Sequence, residues 1–223
     1  MPKRSVLGRL SARRWAGWQA LAIYILTRIG YRNCKHTKPW RVILSVLLPY
    51  ELSSVVNDMH RARTAKLYYP CLLVALTLPE ICSALLLPKD KFVKQLHYVS
   101  FIDTYSTPQE LGDDGIGIYR LRGGLVHRGD MRGHAHFGAT HVLFTVPETQ
   151  SKLHAFSIQV GDKTAAMFDL DLFVDGMDAA VRRWYVANKD MPLLADNLPH
   201  LIRYSPTGVS PFTKGLPAIV SGA

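Results

Sequence analysis

The chain has 223 residues, of which 48% are hydrophobic and 20% charged. That supplies one ordinary domain with a sizeable core and excludes a disordered chain. The formal net charge of +10 would suggest a nucleic-acid or membrane surface, but ten of the 27 Lys and Arg lie in residues 1–50, which hold no Asp or Glu. Residues 51–223 therefore carry 17 basic against 17 acidic side chains and are formally neutral.

Residues 1–50 read as a basic extension rather than part of the domain. Basic side chains flank an uncharged run from Trp15 to Thr27, 13 residues long. A helix needs about 20 to cross a bilayer. A signal-peptide core, a presequence, an anchor or an untranslated stretch are the alternatives. Three cysteines, Cys34, Cys71 and Cys82, form no Cys-x-x-Cys pair, so no zinc ribbon or thioredoxin-type site is available. Cys71 and Cys82 read as small buried thiols, which fits a reducing cytoplasm.

Leu52 to Tyr69 reads as an amphipathic helix, with Leu52, Val55, Val56, Met59 and Ala62 on one face and Pro70 breaking or kinking it. Cys71 to Leu87 is apolar all round apart from Glu80. Pro70, Pro79, Glu80 and Pro88 favour the core helix of a bundle over a membrane span. Lys89 to Tyr105 is expected as a third helix that buries Phe92, Leu96, Val99 and Ile102. A loop through Gly112-Asp-Asp-Gly115 then leads into a helix beginning near Ile116 and ending at Gly129, where a left-handed C-cap fits. Its buried stripe is Ile118, Leu121, Leu125 and Val126.

His141–Val146 and His154–Val160 alternate with strand period and are expected to pair as a hairpin, with Ala165–Phe168 a short third strand. Asp169 or Asp171 caps a last helix running to about Asn188, with Leu172, Val174, Met177, Ala180, Val181 and Trp184 on its core side. Beyond Asp190, five prolines and recurring glycines predict an extended tail.

The chemistry sits on the helix that ends at Gly129. Arg122 is a permanent cation able to grip a phosphate in bidentate fashion. His127 titrates near neutrality and can move a proton to or from a ribose oxygen or a leaving group. Arg120 and Arg128 flank the pair and would steer an RNA backbone. Five helical residues turn ~500°, which puts the two side chains ~140° apart. On that spacing they meet only where the helix ends or distorts at Gly123-Gly124, or across a dimer. The competing reading makes Arg122 a structural partner of Asp103 or Asp113, and His127 a helix C-terminal residue favoured by the dipole.

Arg122 and His127 spell Arg-x4-His, and Tyr119-Arg-Leu-Arg followed by Leu125-Val-His-Arg-Gly129 resembles the motif run of small bacterial HEPN-like proteins. Gly123 stands where many active members carry a polar residue. Pro79-Glu-Ile-Cys resembles a helix start in the same proteins, and the Gly-Pro tail is also similar. The resemblance implies a mainly α HEPN-like helical bundle with a small antiparallel β-hairpin inserted before the last helix. It covers about residues 51–190, with residues 191–223 as a Pro/Gly-rich tail. It also implies a metal-independent endoribonuclease of the toxin or defence kind, with catalytic Arg122 and His127, RNA-binding Arg120 and Arg128, and no cofactor. Two motif helices would face each other in a homodimer, with an antitoxin or partner protein also in prospect. The alternative function is a non-catalytic helical module for dimerisation or partner binding.

Other candidates are weaker. His134, His136 and His141 are a tempting metal set, but solvent-facing loop residues are the default and no metal is assigned. Asp169, Asp171, Asp175 and Asp178 suit a helix N-terminal half better than a two-metal nuclease. Gly112-Asp-Asp-Gly-Ile-Gly117 puts acids where a phosphate would sit.

Overall fold

The computed structural model describes residues 46–131 and 135–222. Most of the basic extension, Cys34 and His134 lie outside them. The described residues form one compact unit. Helix α1 spans Tyr50–Thr64, α2 Tyr68–Ala84, α3 Gln95–Tyr105, α4 Pro108–Leu111 and α5 Gly115–Arg128. Strands β1 (His141–Thr145), β2 (Phe156–Val160) and β3 (Lys163–Asp169) follow, and then α6 (Leu170–Asn188). A short α7 (Pro192–Asn197) and strands β4 (Arg203–Ser205) and β5 (Ala218–Val220) complete the chain. The mainly helical architecture is as read from the sequence.

The centre of the bundle is α2. It packs against α1, α3, α5 and α6, which is why its sequence is apolar on every side. Leu72, Ala75, Leu76, Leu78 and Cys82 are buried along it. Burial pushes the Cys71 thiol up to about 11 and raises that of Cys82 as well, so both behave as inert core groups. Pro79, expected at a helix start, lies inside α2 and is buried. Lacking an N–H, it leaves the Ala75 carbonyl without its usual helical donor. Pro70 likewise falls in the first turn of α2, and the break after α1 comes earlier, at residues 65–67.

Helix α3 is shorter than expected. His97 Nδ1 accepts the Lys94 N–H at 3.0 Å, and the helix begins at Gln95. The buried face is therefore Tyr98, Phe101 and Ile102, while Phe92 and Leu96 are 88% and 65% exposed. On α6 the capping residue is Asp169, whose Oδ1 accepts from the Leu172 N–H at 3.0 Å. Phe173 is buried there in place of Leu172, which is partly exposed.

The strand pairing also differs from expectation. The sheet order is β1-β3-β2, with β1 parallel to β3 and β2 antiparallel to it. The antiparallel hairpin before α6 is thus β2–β3, turning at Gly161 with φ 62°, and β1 does not pair with β2. Period-two alternation assigns faces but not neighbours. Val142, Phe144, Ala166 and Phe168 share the face that packs inward, where the Phe144 and Phe168 rings stack 5.0 Å apart.

The C-terminal segment is not an extended tail. Leu194 is buried, Asn197 donates to the Leu85 and Leu87 carbonyls beyond α2, and the Tyr204 carbonyl accepts from the Tyr50 hydroxyl on α1 at 2.8 Å. Arg203–Ser205 and Ala218–Val220 form a small antiparallel pair, and Pro206, Gly208, Pro211, Gly215 and Pro217 lie in the connection between them. No described helix is long and apolar enough to cross a membrane.

Candidate functional site

Helix α5 is set by both its ends. Asp114 caps it, accepting the Gly117 N–H at 3.0 Å, and Gly129 closes it in the left-handed region with φ 66°. Ile118, Leu121 and Leu125 anchor it to the core. The same helix carries Arg120, Arg122, His127 and Arg128, with Arg122 at the margin of the buried stripe and only 12% exposed. All four border one cavity of about 490 Å³, together with Tyr119, Gly123, Gly124, Ala135 and His136.

Within a single chain, Arg122 Nη1 lies 3.0 Å from His127 Nε2. The helix runs unbroken from Gly115 to Arg128, so the expectation that it must end, distort or find a second chain is corrected. The reach of the long arginine side chain closes the gap, and the glycine pair is not needed as a break. Gly123 has open space where a Cβ would stand.

The fork is held from behind. Arg122 Nη2 donates to Glu80 Oε2 on α2, the one charge of that helix. Neither Asp103 nor Asp113 is its partner: Asp103 accepts the Gly115 N–H, and Asp113 pairs with His136 at 3.1 Å. The Arg122 side chain is only 12% exposed. Its Nε is buried without a hydrogen-bond partner among the described residues. One edge of the guanidinium thus faces Glu80 and the other faces His127 and the cavity.

The Arg122–His127 contact fixes a tautomer. A guanidinium can only donate, so His127 Nε2 must accept and Nδ1 carries the imidazole hydrogen. An anion that draws Nη1 away would leave Nε2 with a free lone pair facing the cavity.

The flanking cations are placed differently. Arg120 Nη1 lies 3.2 Å from His136 Nδ1. Arg128 Nε stands 3.7 Å from Asp130 Oδ2. Burial raises the Asp113 carboxyl, opposed by the Asp114 N–H and the His136 ring. Ligand atoms of Asp113, Asp114 and His136 lie within 4.8 Å of one another. His136 Nδ1 accepts from Arg120, however, so Nε2 bears the hydrogen directed at Asp113, and the group is a hydrogen-bonded chain in this state. His141 is not in it and instead meets Thr140 Oγ1 at 2.8 Å.

The acidic residues of α6 serve structure. Asp171 and Asp175 accept from Arg63. Asp178, buried, accepts from His60 Nε2 at 3.1 Å and from Arg182 Nε at 2.8 Å. Burial by itself would raise the Asp178 carboxyl, and those two partners outweigh it and hold it low.

Sequence reasoning missed Glu80 as the residue behind Arg122. They lie 42 positions apart, and only the clue of a lone charge on an apolar helix pointed to it. No family model matches the chain, and neither curated proteins nor solved structures give a match.

Proposed function

We propose that the protein is a metal-independent endoribonuclease of the HEPN type, cleaving RNA with the Arg122–His127 pair. The observation that carries this reading is the 3.0 Å contact between a guanidinium and an imidazole nitrogen at the edge of a 490 Å³ cavity. A phosphodiester entering the cavity takes the exposed edge of Arg122, while Glu80 keeps the opposite edge in place. His127 Nε2 is released and accepts the 2′-hydroxyl proton as general base. Arg122 stabilises the charge that builds on the phosphate. Arg120 and Arg128 border the same cavity and supply the cationic rim for the RNA backbone. An unmatched buried donor such as Arg122 Nε costs about 1–3 kcal/mol, so stability alone is a poor reason for an arginine here. A homodimer and a neutralising partner protein belong to the same proposal.

The test is incubation of the full chain with single-stranded RNA in chelator. Cleavage that leaves 2′,3′-cyclic phosphate and 5′-hydroxyl ends supports the reading. Cleavage that requires added metal, or that leaves other ends, overturns it. A second reading draws on the ion pair to Glu80 and the low exposure of Arg122. On that reading the pair is structural and the chain is a dimerisation or partner-binding module. Arg122→Ala would then lower the Tm, and no cleavage would occur at any protein concentration.

A further inference from the structure

The cavity holds a second arginine–histidine couple. His136 borders it beside Tyr119, Arg120 and His127, and Arg120 Nη1 meets His136 Nδ1 at 3.2 Å. The two couples share their parts but not their order, the carboxylate backing the arginine in the first and the histidine in the second. Each has a guanidinium donating to an imidazole nitrogen, and each has a carboxylate behind it: Glu80 behind Arg122, and Asp113 behind His136 at 3.1 Å. Three charged groups contact the His136 ring, Asp113 and Asp114 from the turn before α5 and Arg120 from α5 itself.

The seat of this second couple is cut into α5. A Cβ at Gly117 would collide with the Asp113 carboxylate and come within 2.9 Å of His136 Nε2. Only glycine lets the Asp113–His136 pair lie against the helix backbone. The carboxylate fixes the ring so that Nδ1 points toward Arg120 and the cavity.

Cleavage by transesterification needs two proton transfers. The 2′-oxygen loses a proton as it bonds to phosphorus, and the 5′-oxygen gains one as its bond to phosphorus breaks. One neutral histidine can accept the first proton, but it does not supply the second at the opposite side of the phosphate. Resting on the ribonuclease reading, we infer that His136 is a second catalytic residue of this cavity. Its imidazolium Nδ1–H protonates the departing 5′-oxygen, and Asp113 acts as its positioning residue. When the phosphodiester draws Arg120 aside, Nδ1 is free to carry that proton. The products are a 2′,3′-cyclic phosphate and a 5′-hydroxyl, and the proton taken by His127 balances the one given by His136.

The experiment compares two RNA substrates of one sequence with the full chain, in chelator. One has an ordinary linkage, and the other has a bridging sulfur in place of the 5′-oxygen, which leaves as a thiolate without needing a proton. His136→Ala is expected to cut the ordinary linkage ~10²- to 10⁴-fold more slowly than the parent, and the thio linkage at nearly the parent rate. His127→Ala is expected to lose both. Asp113→Asn should show the His136 pattern in smaller measure, about tenfold on the ordinary linkage. Should His136→Ala not fold, His136→Gln, which keeps a donor toward Asp113, gives the same comparison. Equal loss on both substrates, or no loss on the ordinary one, overturns the assignment of His136 and leaves the Arg122–His127 reading intact. A parent chain that cuts neither substrate overturns both.

Discussion

Arg122 and His127 leave their helix ~140° apart and still meet at 3.0 Å. The contact is bought by side-chain length rather than by any break in α5, and Glu80 on the neighbouring α2 holds the far edge of the guanidinium. A single chain therefore brings the two groups together, and a two-fold partner is not needed to unite them.

The role of Glu80 follows from that geometry. Glu80→Gln keeps the shape but removes the charge that orients Arg122. The ion pair is partly exposed, so the cost in stability should be modest, about 1 kcal/mol or less. RNA cleavage should fall ~10- to 100-fold, because a catalytic cation displaced by about 1 Å loses that much. Thermal melting alongside cleavage rates separates the two effects. Unchanged cleavage would mean that Arg122 is not oriented from behind.

Arg122→Lys tests the fork itself. An ammonium cannot face Glu80 with one edge and His127 with another, as the planar guanidinium does. Cleavage should drop ~10²- to 10³-fold, the loss expected when a donor to the transition-state charge is removed. Full activity in the lysine variant would show that any cation at this position suffices.

The helical scaffold was legible where local signals were strong. Asp169 before an amphipathic run, and Gly129 after one, marked real helix ends because capping is decided within a few residues. The four site residues on α5 were legible as residue types within one short helical segment, but the convergence of Arg122 with His127 was not, because their positions lie ~140° apart. Non-local relations were not legible. Glu80 reaches Arg122 only after α2 and α5 have packed. Strand β3 takes the central place between β1 and β2 although alternation alone favoured pairing the first two strands. His136 could be read only as a loop histidine until Asp113 and Arg120 closed around it. Phe92 and Leu96 fit a helical stripe on paper, but α3 begins at Gln95 and leaves both outside the core.

Acid sensitivity should originate partly at His154. Its Nδ1 accepts the Asp169 N–H at 3.0 Å, at the cap of α6. Burial is the main cause that lowers its pKa below the ordinary 6.5. The unfolded chain thus binds a proton more readily than the folded one. The stabilisation is complete above pH 6.5 and is lost as pH falls through the folded value, with protonation also breaking the bond to Asp169. Denaturant unfolding measured from pH 7.5 to 5 should show falling stability in the parent and a flatter profile in His154→Gln. Equal slopes would contradict this account.

Asp178 joins α6 to α1 through His60 and keeps Arg182 in place. Asp178→Ala leaves two basic groups without their buried acceptor, and about 3 kcal/mol of stability should be lost. Chemical denaturation reads the change directly, and a loss below 1 kcal/mol would show that water replaces the carboxylate. Cleavage by the variant should be unaffected below its unfolding transition, since Asp178 does not border the cavity.

The most direct measurement is single-turnover cleavage of a single-stranded RNA in chelator by the full chain and by folded His127→Ala. His127 is exposed at the end of α5, so its removal should leave the Tm nearly unchanged. The account predicts cutting by the parent and a loss of at least ~10²-fold in the variant. Cutting at the parent rate by His127→Ala, or an inert parent, would contradict it.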